Sequence, residues 1–206
     1  IVSHNVVLFI RGVPIFYFPI FVQSLKKRKL KITMAVGHSS EDGFYAKTKV
    51  EYSFDDHNKI HLLIDKYEHR GWGLGAQYDY RNKDINNGSI FLYGIDDTVD
   101  DVMKRTFRMN HSQKLSQRWR SYTSINYQND ESFDNDLMYT PLGKQRVKSN
   151  INSYTSLNYV GNMYSMTAVW DMEQDWDNEK KSYTKTKESL PNLTLDTYQN
   201  KFFVNK

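Results

Sequence analysis

The sequence contains no cysteine among its 206 residues. This absence excludes disulfide bonds, thiol nucleophiles and cysteine-ligated zinc, although it does not identify a cellular compartment. There is also no run of about eighteen apolar residues, the length that a membrane-spanning helix needs. The longest apolar stretch, residues 6–22, is broken by Arg11, Gly12, Pro14 and Pro19, which a membrane helix would not carry so densely. Membrane-spanning strands, which need only about ten alternating residues each, are not excluded.

Aromatic residues are abundant in a sequence that is polar overall. Tyr, Phe and Trp make up 15% of the residues, yet the mean hydropathy is −0.72. Strands that alternate a ring with a polar residue reconcile the two values, because each strand then has one apolar face and one polar face. The net charge of +4 would suit an anionic lipid or a nucleic acid equally.

Alternation with a period of two recurs from one end of the sequence to the other. In residues 72–80 one face comprises Trp72, Leu74, Ala76, Tyr78 and Tyr80, and the other comprises Gly73, Gly75, Gln77 and Asp79. The same pattern predicts strands over residues 30–37, 44–54, 59–68, 72–80, 89–95, 106–112, 119–127, 151–159 and 164–172. Rings stand at the ends of several apolar faces, as Phe44 and Tyr52 do, which is typical of an interfacial aromatic girdle.

Clusters of turn-forming residues separate these segments, for example residues 39–43 and 55–58. Together they predict an all-β chain with roughly ten antiparallel strands, each long enough to span a bilayer at a tilt. Only Asp97–Lys104 suggests a helix, as an insertion between strands. Alternation alone leaves two classes open, a transmembrane β-barrel and a soluble β-sandwich or extended antiparallel sheet.

Six short motifs follow one another along the chain. They are Gly12 to Pro19 (GVPIFYFP), Arg28 to Phe44, Arg70 to Tyr80 (RGWGLGAQYDY), His111 to Trp119, Asn126 to Asp136, and Leu190 to Leu193 (LPNL). In their order and spacing they resemble the LptD (OstA) family of lipopolysaccharide-assembly proteins over residues 6–195. The resemblance implies the last strands of a periplasmic β-jelly-roll in residues 1–22 and the N-terminal strands of an outer-membrane β-barrel in residues 23–206. Because the family barrel has about 26 strands, the sheet formed by this chain is expected to be open.

The resemblance implies a translocon of the bacterial outer membrane rather than an enzyme, with no catalytic residue, cofactor, metal or nucleic-acid partner. Lipopolysaccharide would arrive from an LptA-like periplasmic bridge protein and leave sideways between the first and last barrel strands. An LptE-like lipoprotein would plug the barrel. An outer-membrane protein needs an export signal, and residues 1–10 carry neither a basic leader nor a cleavage site. We therefore expect the true N-terminus to lie upstream.

Two groups of residues are candidates for contact with the lipid. The basic cluster could attract the phosphates of lipid A, or it could be a solvated rim at a membrane surface. It comprises Lys26, Lys27, Arg28, Lys29 and Lys31. The phenylalanines Phe9, Phe16, Phe18 and Phe21 could form the apolar path for acyl chains, or they could be jelly-roll core; both are possible, since a lipid-carrying core must be apolar.

The candidate gate comprises Pro14, Pro19, Met34 and Lys49. Pro14 and Pro19 cannot donate ladder hydrogen bonds, so they weaken strand pairing where they lie. Met34 and Lys49 occupy the positions at which the family has prolines inside its first two barrel strands. This chain therefore departs from the family at the two prolines that would loosen the gate.

Asp55, Asp56, His57 and His61 admit an enzymatic interpretation, because some outer-membrane barrels carry Asp and His at their rims. The residues of this stretch are, however, typical of a polar hairpin turn, in which the histidine side chains would not converge on a metal. Two alternative functions remain open on the sequence. One is a barrel of another class, either a porin-like channel or a surface hydrolase, and the other is a soluble β-protein that binds polyanions.

Overall fold

The computed structural model describes residues 2–10, 13–22, 29–99, 101–131, 133, 150–189 and 191–198, with the backbone alone for residues 2–10 and 13–22. This part of the chain is built from β-strands. They are β1 (Val2–Ile10), β2 (Val13–Val22), β3 (Leu30–Ser39), β4 (Gly43–Ser53), β5 (Lys59–Tyr67), β6 (Gly71–Asn82), β7 (Asn86–Asp97), β8 (Val102–Lys114), β9 (Trp119–Gln128), β10 (Asn150–Val160), β11 (Tyr164–Asp177), β12 (Ser182–Glu188) and β13 (Asn192–Thr197). The nine strands expected from alternation are all present.

The strands form two antiparallel sheets. β1 pairs with β2 alone, whereas β3 to β11 pair each with the next in chain order. β12 and β13 share the remaining edge of β11, β12 along Met172–Asp177 and β13 along Tyr164–Val169. Among the described residues no pair joins β3 to the far end of the sheet. The expected fold class, an open antiparallel sheet with about ten strand positions, is confirmed.

β12 and β13 are one strand interrupted at the LPNL motif. Ser189 still donates its main-chain N–H to the Asp171 carbonyl oxygen at 3.0 Å, and the ladder resumes at Asn192, which lies opposite Val169. Pro191 lies in the gap. Because proline has no main-chain N–H, it would leave a ladder hydrogen bond unmade at a paired position. The motif therefore marks a break in strand pairing.

Consecutive connections of the larger sheet lie at opposite ends of the strands. The end at which β3 meets β4, β5 meets β6, β7 meets β8, β9 meets β10 and β11 meets β12 is called the long-loop rim, and the opposite end is called the short-turn rim. β3 begins at the short-turn rim, because Leu30 lies opposite Tyr52 in the β3–β4 ladder. The segment from β2 therefore enters the sheet at that rim.

The alternation assigns side chains to two faces, as expected. Trp72 and Leu74 are each 60% exposed on one side of β6, whereas Gly73 between them is buried on the other. We call the side of Leu74 the outer face and the side of Gly73 the inner face. The strand register places Ile64 of β5 and Met34 of β3 in line with Leu74, so these residues also belong to the outer face. Large apolar side chains thus form a continuous exposed surface.

Rings on the outer face lie at two levels. Phe44 and Trp72 lie near the long-loop rim, and Tyr52 and Tyr78 lie near the short-turn rim. Phe44 and Tyr52 are separated along β4 by about 26 Å at the usual rise per residue, which at the usual strand tilt corresponds to about 20 Å along a barrel axis, somewhat less than the apolar band of an outer-membrane barrel. The Lys66 ammonium lies over the Trp72 ring, 5.3 Å from its centroid. This two-level arrangement is that of an aromatic girdle.

The helix suggested for Asp97–Lys104 is wrong. Asp97 ends β7, and Val102 to Lys104 already belong to β8, so the segment is a tight hairpin turn. Asp101 adopts a positive φ of 53°, which an Asp tolerates better than most residues. The turn forms because Asp97 and Val102 are directly paired in the ladder, and this pairing leaves no length for a helix.

The outer face predicts a position-specific cost for added charge. We expect Leu74→Arg to destabilise the membrane-inserted protein because the guanidinium would enter hydrocarbon, at a cost of about 2–4 kcal/mol near the midplane and less near an interface. Gln77→Arg, on the inner face of the same strand, should have a much smaller effect. The measurement is the equilibrium unfolding of both variants of the complete protein in bilayers. A larger cost for Gln77→Arg would mean that the two faces are assigned the wrong way round.

Candidate functional site

The β3–β4 ladder contains two of the candidate gate residues. Met34 lies opposite Thr48, and Lys49 lies opposite Thr33, so the two residues are on different faces of the hairpin. The ladder runs from Leu30 to Ser39 with no register shift. β3 is therefore joined to β4 along its whole length, and its other edge has no partner within the described residues.

The prolines of β2 coincide with irregular pairing. Leu8 pairs with Phe16 and Phe9 with Pro14, so the register shifts by one residue at this point. Pro19 lies between the pairs His4–Ile20 and Val6–Phe18. Both prolines thus lie within the β1–β2 sheet and not within the β3–β4 ladder. A role for them in the gate stays a prediction.

The candidate lipid path maps onto the same small sheet. Phe9 belongs to β1, and Phe16, Phe18 and Phe21 belong to β2. The strands are paired along their length, which is compatible with a jelly-roll edge. The side chains of these residues lie outside what is described, so the acyl path stays a prediction.

Only part of the basic cluster is described. Lys26, Lys27 and Arg28 lie outside the described residues, and Lys29 and Lys31 are exposed at the start of β3. Lys29 lines a cavity of about 300 Å³ together with the acidic residues Glu51, Asp55 and Asp56. These carboxylates reduce the local positive potential at Lys29. Attraction of lipid A phosphates by the cluster stays a prediction.

A buried aromatic cluster covers the inner face near the long-loop rim. Its centre is Tyr93 of β7, which is 4% exposed and donates its hydroxyl to Asp65 Oδ2 at 2.9 Å. Phe133, from the connection between β9 and β10, packs edge-on against Tyr93 with ring centroids 5.8 Å apart. The buried members of the cluster are Tyr67, Phe91, Tyr93, Ile95 and Phe133. Residue 133 is thereby held against the inner face of the sheet.

The glycines of the RGWGLG motif make room for this cluster. A Cβ atom at Gly73 would lie 1.9 Å from the Tyr93 hydroxyl oxygen, and one at Gly75 would lie 2.6 Å from the Tyr93 ring. Any side chain at either position would therefore displace Tyr93. The glycines serve close packing of a ring on the sheet, and not a phosphate-binding loop.

Buried charged residues link three of the loops at the long-loop rim to the ends of β7 and β8. Arg70 donates from Nε to Asp42 at 2.7 Å and from an NH group to Asp97 at 2.7 Å. The Lys104 ammonium lies 3.2 Å from Asp97 and 3.8 Å from Asp130. Asp97 and Lys104 have no exposed surface. The five residues form one network, in which each buried cation faces two carboxylates, as burial of charge requires.

The network and the aromatic cluster bring the family-like motifs together. Arg70 begins one motif and Asp130 belongs to another about 60 residues later, and the ion pairs through Asp97 and Lys104 link the two. The sequence pattern did not identify this site. Charged residues at inward strand positions, such as Lys104, were its visible signal, since such positions rarely hold charge without a partner.

The Asp–His stretch is divided between a turn and a strand. Asp55 accepts hydrogen bonds from the main-chain N–H groups of His57 and Asn58, both at 2.7 Å. The Asn58 side-chain amide, followed by the His57 N–H, lowers the pKa of Asp55 below its ordinary value. His61 lies instead on the inner face of β5, 2.9 Å from Asp79. Asp55 thus stabilises a hairpin turn, and His57 and His61 are not brought together.

The described residues lack the features of two other classes of site. No helix there has the length and apolarity to cross a membrane. No group of three or more His, Asp or Glu side chains there is arranged to hold a metal ion.

Comparison with known proteins identifies one family. The model of LptD, described as LPS transport system D, matches residues 103–205. The LPS-assembly protein LptD of Acinetobacter baumannii is 22% identical over 201 residues, covering 95% of this chain and 24% of that protein. The protein of the same name from Mannheimia succiniciproducens is 24% identical over 136 residues, covering 62% of this chain and 17% of that protein. The chain thus spans about a quarter or less of these curated relatives.

Proposed function

The chain belongs to the LptD family, whose model matches half of its length, and from this we propose that it is part of a lipopolysaccharide translocon in the bacterial outer membrane. The observation that carries the proposal is the family match, which coincides with an open antiparallel sheet bearing a continuous apolar outer face. Residues 23–206 would supply the first strands of the barrel, and residues 1–22 the end of the jelly-roll. The separate pairing of β1 with β2 supports this division.

The two rims suggest an orientation in the membrane. Outer-membrane barrels have short periplasmic turns and longer extracellular loops, and more residues separate the end of β9 (Gln128) from the start of β10 (Asn150) than separate any other consecutive strands of the larger sheet. We therefore assign the long-loop rim to the cell exterior. The jelly-roll would then enter from the periplasm at the start of β3, which is the side on which an LptA-like bridge protein delivers its cargo.

Lateral release is the mechanism that we propose for the last step. Lipopolysaccharide would pass into the outer leaflet between β3 and the final strand of the complete barrel, while an LptE-like lipoprotein fills the lumen. Only non-covalent strand separation is required, and no catalytic group takes part. Since β3 is joined to β4 without a register shift, we expect the opening to lie on the other edge of β3.

The test of the proposed function is depletion of the complete protein in its host. We expect newly made lipopolysaccharide to stop reaching the cell surface, as measured by a modification that occurs only in the outer leaflet. Uptake of small solutes should change less and later. Undiminished surface lipopolysaccharide together with an immediate loss of solute uptake would instead identify a porin-like channel.

A further inference from the structure

A small polar recess lies on the inner face of the larger sheet, near the short-turn rim. Its volume is about 170 Å³, which is smaller than the clefts that hold drug-sized ligands. The strand register places five of its lining residues at inward-facing positions of β7, β8 and β9, and these are Asn87, Ser89, Asn110, Ser112 and Tyr122. The remaining lining residues, Gly88 and His111, alternate with these along the strands, and the His111 ring is hydrogen-bonded to Tyr80 of the outer face. The inward-facing lining thus offers amides, hydroxyls and one aromatic ring, without a formal charge.

The aromatic ring forms one wall of the recess. The Tyr122 ring of β9 lies against the Tyr154 ring of β10, with centroids 5.3 Å apart and planes inclined by 30°. Because β9 lies between β8 and β10, Tyr154 covers the side of Tyr122 that faces away from β8. The opposite side of the Tyr122 ring is turned toward the recess. An aromatic face attracts the weakly positive C–H groups on the flat side of a sugar ring.

The polar groups beside this ring suit sugar hydroxyls, which both donate and accept hydrogen bonds. Asn110 Oδ1 accepts a hydrogen bond from the Ser124 hydroxyl at 3.0 Å, which fixes the orientation of the amide. Within the described residues, the NH2 group of Asn110 and the side chain of Asn87 make no hydrogen bond. These amides can therefore bond to a ligand without first losing a protein partner.

Cations lie next to the recess on the side of the short-turn rim. Lys114 and Arg120 are paired across β8 and β9, two residues beyond the recess along each strand, and Arg81 of β6 lies opposite Asn87. All three cations are exposed, and none forms an ion pair within the described part of the chain. Asp79 of β6 is the carboxylate at the neighbouring inward-facing position, so three cations stand against one carboxylate. An uncharged recess with cations beside it is complementary to a sugar that bears an acidic group, such as a phosphate.

We propose that this recess binds an acidic sugar of the saccharide portion of lipopolysaccharide as that portion enters the lumen. The sugar ring lies on Tyr122, its hydroxyls bond to the amides of Asn87 and Asn110, and its acidic group pairs with the cations beside the recess. The inference rests on the proposed function, because the orientation derived there makes the short-turn rim the side from which the cargo arrives. It adds a sugar-binding step on the wall of the lumen, several strands away from the free edge of β3.

The test uses the complete protein with its plug in detergent, titrated with the saccharide that mild acid releases from lipopolysaccharide. Saturation-transfer NMR measures the dissociation constant. Ser112→Phe should weaken binding by about tenfold or more, because the phenylalanine ring occupies the recess. Ser121→Phe is the matched control, because it makes the same change on the outer face of β9, and it should bind the saccharide as the wild type does. Folding of each variant is checked by its heat-dependent gel migration.

Two milder sets of variants separate the ring from the cations. Tyr122→Leu should weaken binding about fivefold, whereas Tyr122→Phe keeps the ring and should retain the wild-type affinity. The triple variant Arg81→Gln, Lys114→Gln, Arg120→Gln should weaken binding of the acidic saccharide on the order of tenfold. It should leave binding of maltohexaose, a neutral saccharide, unchanged.

Three results would contradict these expectations. Equal affinities for the Ser112→Phe and Ser121→Phe variants would overturn the site. An equal loss for both saccharides in the triple variant would overturn the role of the cations. Release of the plug by Ser112→Phe would mean that a protein segment fills the recess, and would overturn the sugar as its occupant. Surface delivery of lipopolysaccharide is measured separately, in the depletion experiment, so failure of the recess and failure of the proposed function are distinguishable.

Discussion

A disulfide between β3 and the last strand of the complete barrel is expected to abolish delivery of lipopolysaccharide to the cell surface. Lateral release requires these two strands to separate, and a covalent bond prevents separation whatever the strength of the hydrogen bonds. A cysteine at Thr33, combined with a scan of cysteines along the last strand, would form the bond. Because this chain has no cysteine of its own, no native cysteine within it competes for the engineered disulfide. Surface lipopolysaccharide is measured before and after addition of a reductant, which should restore delivery.

The control lock uses the same position of β3. Thr33→Cys with Lys49→Cys joins β3 to β4, where the two residues are directly opposite in the ladder, within the distance that a disulfide spans. We expect delivery to continue, because this pair of strands has no reason to part. If delivery persisted with the cross-seam disulfide fully formed, lateral release would be wrong. If the β3–β4 lock alone stopped delivery, the opening would lie between those strands.

Removal of Asp97 should have the largest effect on stability of any substitution in the described rim network. Asp97 has no exposed surface and is the common partner of Arg70 and Lys104. Asp97→Ala removes the carboxylate that lies 3.2 Å from the buried Lys104 ammonium, whereas Asp130 lies farther away, at 3.8 Å. Breaking a buried ion pair in this way costs about 3–5 kcal/mol. Urea unfolding of the complete protein would measure the change.

Asp96 provides a neighbouring control. It is exposed on the outer side of the same strand, β7, so Asp96→Ala should change stability by no more than about 0.5 kcal/mol. Addition of Lys104→Met to Asp97→Ala should recover part of the loss, because the buried cation is then removed together with its carboxylate partner. Equal stabilities for the Asp96 and Asp97 variants would mean that the network does not stabilise the rim.

The alternation of side chains was enough to predict the strands and their faces. Trp72 and Leu74 could be assigned to one side of β6 and Gly73 to the other, because the period of a strand is a local property that a few consecutive residues reveal. The order of the strands followed as well, since short connections favour pairing of neighbours in sequence. The resemblance of the motifs then identified the family.

The tertiary structure alone decided what fills the inner face. Lys104 and Asp97 belong to a segment whose pattern suggested a helix, and only their pairing with Arg70 and Asp130 explains why charge is buried there. Phe133 could not be assigned to Tyr93 from sequence, because 40 positions separate them and no periodicity links a loop to a strand. Sequence pattern specifies which face a residue occupies, whereas non-local register and loop closure specify what it meets there.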